Sequence, residues 1–268
     1  MSQKIYFHVG LSKTGSTFLQ HQVFPKLKNI DYLSTKKYRY SLDLIPKMKN
    51  EKILVSREFD QQFEQEIKKF SEQYPNAFPI IVFREHSSWA VSNYKRFVKN
   101  GHPITLKEFI DIENNHGLFK LKDFHYQRYL DLLNQHFKSP TLVLFYEDLK
   151  NQPKEFVQQI LDFTETSLDF DHVNWNPKHV SYDENSLKLV RELSNKIQFQ
   201  KKLEVHIKPK GFLYNLYANI IRYSILYGSK ILPNSFFPKH DLVDKNEVLK
   251  LKEHFSEEWT SLRNSSLF

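Results

Sequence analysis

The chain has 268 residues, a formal net charge of +8, 40% hydrophobic residues and 15% aromatic ones. That composition supplies a core for one large α/β domain or two small ones and excludes wholesale disorder. The absence of cysteine excludes disulfides and thiolate metal sites, and the charge favours anionic partners: nucleotides, anionic polysaccharides, nucleic acid or a membrane surface. No run reaches the roughly 18 apolar residues of a membrane span. The N-terminus, Met1-Ser2-Gln3-Lys4, enters an apolar strand directly, with no hydrophobic leader. The expectation is a cytoplasmic protein, able at most to touch a membrane.

In chain order, KIYFHVG (4–10) is β-rich and ends in glycine, which predicts a buried strand. GSTFLQHQVFPKL follows as a helix to about Pro25. EKILVSRE (51–58) predicts a second strand and FDQQFEQEIKKFSEQY a helix. FPIIVFRE (78–85) is the clearest strand, with Ser87 or Ser88 placed to cap the helix SWAVSNYKRFVKN. PTLVLFYEDL (140–149) predicts a fourth strand, and PKEFVQQILDFT a helix with Pro153 at its first turn. From about 174 the pattern becomes helical, with DENSLKLVRELSNKI and a last helix, KNEVLKLKEHFSEEWTSLRN.

Strands alternating with helices imply βαβ units and a central parallel sheet covered on both faces, a three-layer αβα fold. The chain reads as a single domain over 1–268. Residues 1–173 form the α/β core and 174–268 a mainly helical C-terminal extension of it. Ligands of such sheets bind at the carboxyl ends of the strands. The loop after the first strand, Glu58, Arg84 and the turn Tyr146-Glu147-Asp148 all fall there.

The loop, HVGLSKTGST (8–17), nearly spells the phosphate loop G-x-x-x-x-G-K-[ST] of ATP and GTP hydrolases. Gly10 and Gly15 have the right spacing, but Ser16 stands where the lysine belongs, and Lys13 lies inside the loop. A glycine-rich turn between strand and helix aims backbone N–H groups at an anion. Lys13 adds a mobile charge, and Ser16 and Thr17 add hydroxyls. Without the Lys-Ser/Thr pair, metal-dependent hydrolysis of a nucleoside triphosphate loses support, though a kinase-like P-loop enzyme remains an alternative. A non-catalytic binder of polyanions is another. The twelve histidines show no H-E-x-x-H or similar grouping, so no metal site is implied.

HVGLSKTGSTFLQ resembles the 5′-phosphosulfate loop of sulfotransferases that use 3′-phosphoadenosine 5′-phosphosulfate (PAPS), close to the hhGlpKTGTTxLQ of bacterial and carbohydrate-type members. Ser12 departs from the usual Pro and Ser16 from the usual Thr. FREHSSWAVSNY supplies Arg84 at a strand end and Ser92 eight residues on, similar to the family's 3′-phosphate element. A planar guanidinium suits phosphate oxygens. VLFYEDLKNQPKEFVQQILDF and NPKHVSYDENSLKLVRELSN extend the resemblance over most of residues 4–200, and the final helix fits too.

The resemblance implies a P-loop NTPase-like fold, PAPS as donor, the bisphosphate PAP as product, and an acceptor hydroxyl on a carbohydrate or glycolipid. It gives Lys13 the leaving 5′-phosphate, and Thr14, Gly15, Ser16, Thr17, Arg84 and Ser92 the rest of the nucleotide's phosphates. Phe18 stacks on adenine or is an ordinary core residue. The base is Glu58, similar to the family's SsE segment, with His8 as the runner-up. Glu147 and Asp148 are expected to close the turn after the strand.

GFLYNLYANIIRYSILYGSKILP (211–233) is aromatic and aliphatic, with Leu213, Tyr217, Ile221 and Ile225 at four-residue steps. It reads either as a buried helix, the plainer expectation, or as an interfacial helix or lid at a membrane or lipid-linked acceptor. Lysines within 26–49 are placed to steer an anionic polysaccharide or to form a solvated basic surface. No nucleic-acid partner is implied.

Overall fold

A computed structural model describes residues 3–176, 182–201 and 209–265. The chain divides into two compact units: Met1–Trp89, Lys122–Lys178 and Phe255–Phe268 form the first, and Ala90–Leu121 and His179–His254 the second. Residues 90–121 join the C-terminal helices, and the last segment returns to the first unit.

The first unit is built on a five-stranded, wholly parallel sheet in the order β2-β3-β1-β4-β5. β1 is Lys4–Gly10, β2 Asp31–Leu33, β3 Lys52–Ser56, β4 Phe78–Phe83 and β5 Leu142–Phe145. β1, β3 and β4 are near-continuous apolar runs because helices cover both faces. Tyr6, Leu54, Ile80, Val82 and Leu144 pack on one face against Leu19, Val23, Phe24, Phe156, Val157 and Ile160. On the other, Phe7 stacks on Phe70 with ring centroids 4.0 Å apart and meets Phe59 edge-on. The helix Phe63–Ser71 buries Phe63, Ile67 and Phe70, one stripe at helical spacing, and leaves its lysines outside. Its counterpart Pro153–Thr164 starts on proline as expected and buries Phe156, Val157, Ile160 and Leu161.

Four expectations change in detail. The segment after the loop opens as a helix at Ser16–Phe18, passes into a π-turn at Leu19–Val23, and closes with a 3₁₀ turn at Phe24–Lys26 that absorbs Pro25. The helix His86–Lys99 is capped by neither serine. The Glu85 carboxylate accepts from the backbone N–H groups of Ser87 and Ser88, at 3.0 and 2.9 Å. β5 stops at Phe145, and Tyr146–Asn151 is already helical. The last helix is two, Lys245–His254 and Ser256–Ser265, broken at Phe255. Phe255 is buried against His86 and Phe124.

The second unit is helical. A Thr105–Glu108 capping box starts the short helix Leu106–Phe109, and Phe97, Phe109 and Phe119 pack together. The helix Glu184–Ser194 is tied by a 2.6 Å hydrogen bond between Ser186 and Ser229 to the 3₁₀ turn Ser229–Ile231 that follows the helix Pro209–Gly228. No described helix is long and apolar enough to cross a membrane.

Candidate active site

In this strand order the chain leaves β1 to build β3 on one side and β4 on the other. The crevice beyond the carboxyl ends of these three strands is thus the topological switch point, where open α/β sheets bind ligands. β1 ends at Gly10, β3 runs out toward Glu58, and β4 runs out at Arg84.

The loop between Gly10 and Ser16 turns through three left-handed residues: Gly10 (φ 113°), Lys13 (φ 64°) and Gly15 (φ 90°). Gly10 is needed for close approach as well. A Cβ there would stand 3.1 Å from the Phe59 nitrogen and 3.3 Å from the Glu58 Cα, so the backbone carrying Glu58 lies directly over the start of the loop. A Cβ on Gly15 would collide with the Leu149 side chain.

The loop is braced from inside. Thr14 Oγ1 and Ser16 Oγ both donate to the Leu11 carbonyl, at 2.6 and 3.1 Å, and both residues are buried. Ser12 Oγ donates to Asp60, Trp89 Nε1 to the Ser12 carbonyl, and the Leu11 N–H to the Val82 carbonyl. The hydroxyls of Thr14 and Ser16 thus hold the loop's shape. What the loop leaves exposed is Lys13 and, at the start of the short helix it enters, Thr17.

Arg84 is held at the loop's edge. Its Nη1 donates to the Lys13 carbonyl at 3.1 Å, its Nε donates to Ser88 Oγ at 2.7 Å, and its guanidinium lies 4.4 Å from the Tyr146 ring centroid. Tyr126 anchors the backbone beneath by donating to the Arg84 carbonyl at 2.6 Å. Nη2 makes no hydrogen bond to the described residues, so one prong of the fork remains for an anion. Ser92 is half-buried on the same helix as Ser88, beyond the point where the chain passes into the second unit.

Glu58 is half-buried two residues past β3. Tyr32 lies near it. Burial pushes the Tyr32 phenol up to about 12, the neighbouring Ser56 hydroxyl works against that shift, and the Glu58 charge adds to it. His8, the alternative base, lies inside the sheet. It is fully buried, its Nδ1 is 2.9 Å from Ser56 Oγ, and desolvation holds its pKa down at about 3. It is a neutral strand histidine, with no exposed face for a substrate. Phe18 is half-buried, packed at 5.7 Å against Trp175, a residue the sequence reading passed over.

Glu147 and Asp148 are structural, as expected. Glu147 Oε1 accepts from the Glu85 N–H at 3.1 Å, and burial raises its carboxyl above the usual range. Asp148 makes a two-pronged pair with Arg263, at 2.6 and 3.0 Å. Among the described residues no group of three or more His, Asp or Glu gathers as a metal site.

A parallel sheet with a glycine-hinged anion loop at its switch point defines a P-loop-like α/β protein. The sulfotransferase domain family matches residues 6–210, and the chain belongs to that family. It is thus an enzyme that draws on PAPS as sulfuryl donor and releases PAP. Among solved structures it is similar to a sulfotransferase from Alicyclobacillus acidocaldarius, with 14% identity and a TM-score of 0.53, over 72% of this chain and 93% of that one. It also matches mouse sulfotransferase SULT7A1 complexed with PAP, with 11% identity and a TM-score of 0.45, over 96% and 90%. The first likeness supports the fold. No curated protein matches the chain significantly.

Proposed function

We propose that the protein transfers the sulfuryl group of PAPS to a hydroxyl of a carbohydrate or glycolipid, with Lys13 and Glu58 as the catalytic pair. The observation that carries this reading is the meeting of three strand ends at one loop. Glu58 backbone lies over Gly10, and Arg84 bonds the Lys13 carbonyl. The residues fit the donor: the loop's N–H groups and Lys13 suit its 5′-phosphate side, and the open prong of Arg84 suits a second phosphate. Thr14, Gly15, Ser16 and Thr17 contribute through the loop backbone, Thr17 with its exposed hydroxyl as well. Ser92, eight residues after Arg84 in sequence, is the further phosphate ligand that the resemblance implies, and Phe18 with Trp175 offers an aromatic wall for adenine.

The donor supplies an activated sulfuryl group whose departure leaves negative charge on a phosphate oxygen. Lys13 is the exposed cation of the loop and meets that charge. Such a contact contributes about 2.7–4 kcal/mol to lowering a barrier. Glu58 takes the proton of the attacking hydroxyl, a role worth about 10²–10⁴-fold. Positioning and charge complementarity do most of the work, as in phosphoryl transfer. With Ser16 where a P-loop carries lysine, the transfer needs no divalent metal. The carbohydrate class rests on the resemblance of the loop and of the Glu58 segment to bacterial, carbohydrate-type members. The cytoplasm is the compartment of this reading.

The test is incubation with radiolabelled PAPS and a panel of sugars, glycolipids, phenols and peptides, with EDTA present throughout. Label moving to a sugar hydroxyl in wild type and not in Lys13→Ala is expected. Transfer only to phenols or peptides overturns the acceptor class, and transfer undiminished in Lys13→Ala overturns the role of Lys13.

A further inference from the structure

The helix Pro209–Gly228 is inverted. Its buried stripe is Asn215, Ala218, Arg222 and Leu226, continuing to Ser229, so three of five inward positions are polar. These polar groups are matched: Arg222 donates to the Phe199 carbonyl at 2.7 Å and to the Asn219 side-chain oxygen, and Ser229 bonds Ser186. At about 100° per residue the opposite face carries Phe212, Leu213, Leu216, Tyr217, Ile220, Tyr223 and Tyr227, all exposed. Phe212 is 64% exposed, Leu213 63% and Ile220 59%. Beyond the helix the apolar surface continues through Ile231, at 86%, and Phe236, at 65%. The plainer sequence expectation, a buried helix, is therefore corrected for this face. The apolar residues were periodic, but their stripe faces out.

A continuous exposed apolar surface of this kind marks an interaction site. Two observations select its occupant. Residues 205–240 contain no Asp or Glu and five Lys or Arg, so the whole segment is acid-free in a protein of net charge +8. Lys230 is exposed at the end of the face, with its ammonium 5.6 Å from the Tyr227 ring centroid. Aliphatic residues, three tyrosines and the exposed Lys230 together match the boundary of an anionic bilayer, where tyrosine sits at headgroup level and lysine meets lipid phosphate. A second copy of the chain fits less well, because a two-fold contact would set one acid-free face against another.

We propose that residues 212–236 dock the protein peripherally on a membrane containing anionic lipid, the apolar face entering the headgroup boundary and Lys230 pairing with lipid phosphate. The helix lies in the interface and does not span it. The docking does not depend on the transferase reading. Its consequence, preferred access to lipid-borne hydroxyls, does.

The test is co-sedimentation of the full chain with vesicles of phosphatidylcholine alone, or of phosphatidylcholine and phosphatidylglycerol in equal parts. Wild type should pellet with the mixed vesicles and release as salt is raised. The triple variant Phe212→Ser/Leu216→Ser/Ile220→Ser should lose at least about tenfold in partitioning. Lys230→Glu should lose about fivefold or more on mixed vesicles only. Unchanged thermal melts show that the variants fold, and Phe212→Trp, which keeps an aromatic ring at the site, should shift its emission to the blue on mixed vesicles. Wild type left in the supernatant overturns the proposal. So does undiminished pelleting of the triple variant, equal binding to both vesicle types, or a wild-type dimer that the triple variant dissolves.

Discussion

The loop at residues 11–17 and the helix Pro209–Gly228 both turn polar side chains inward, and they differ in what remains outside. In the loop, Thr14 and Ser16 bond the Leu11 carbonyl, and a cation is left exposed. In the helix, Arg222 bonds the Phe199 carbonyl, and an apolar face is left exposed. In each, the inward polar groups serve the architecture, because a buried donor without an acceptor costs about 1–3 kcal/mol. In the two proposals above, the outward residue type is matched to a partner: phosphate for the loop, lipid for the helix.

The loop half of this comparison breaks most visibly at the proposed base and the loop cation. Glu58→Gln should lower kcat by about 10²–10⁴-fold while binding of PAP persists, read from steady-state rates alongside calorimetry. Lys13→Ala should cost about 10²–10³-fold in kcat with an unchanged melting temperature, since Lys13 is exposed. A rate loss accompanied by unfolding would place Lys13 with the bracing residues instead.

The helix half sharpens through a reversed mutational pattern. Arg222→Met, polar to apolar, should destabilise by about 1–3 kcal/mol, because the Phe199 carbonyl loses its donor. Ile220→Ser, apolar to polar, should stay within about 0.5 kcal/mol in the same urea melts. The opposite ranking would mean that the exposed face is covered in solution.

A further effect is on acid stability. His8 is held neutral in the fold, with its pKa pushed from 6.5 to about 3, whereas the unfolded chain binds a proton near 6.5. Stability should therefore fall as pH drops from about 6.5 toward 3, by up to about 1.4 kcal/mol per pH unit. Urea midpoints in His8→Asn should show a shallower slope over that window.

Most of the sheet was legible because buried parallel strands are dense apolar runs, as in KIYFHVG and FPIIVF. β2 was missed because Asp31–Leu33 is three residues long, too short for any period to show. The break at Phe255 was missed because Lys245–Ser265 keeps helical composition throughout; burial of Phe255 against His86 and Phe124 interrupts it. The four features at the strand ends were legible from order alone, yet the inward turn of Thr14 and Ser16 depends on the left-handed residues between them. Trp175 was invisible as a partner of Phe18, since nothing in VNWNP marks it. For the helix, periodicity gives a stripe and not its direction. Asn215, Arg222 and Ser229 recur every seven residues, a register that by itself describes a solvent-facing polar stripe; only their burial shows that it turns inward.

The measurement that tests the central claim most directly is calorimetric titration of the protein with adenosine 3′,5′-bisphosphate and with AMP, in EDTA. The proposed assignment of one phosphate to the loop and the other to Arg84 predicts at least about tenfold tighter binding of the bisphosphate, a gap that closes in Arg84→Ala. Equal affinity for the two nucleotides, or binding that requires Mg²⁺, would contradict it.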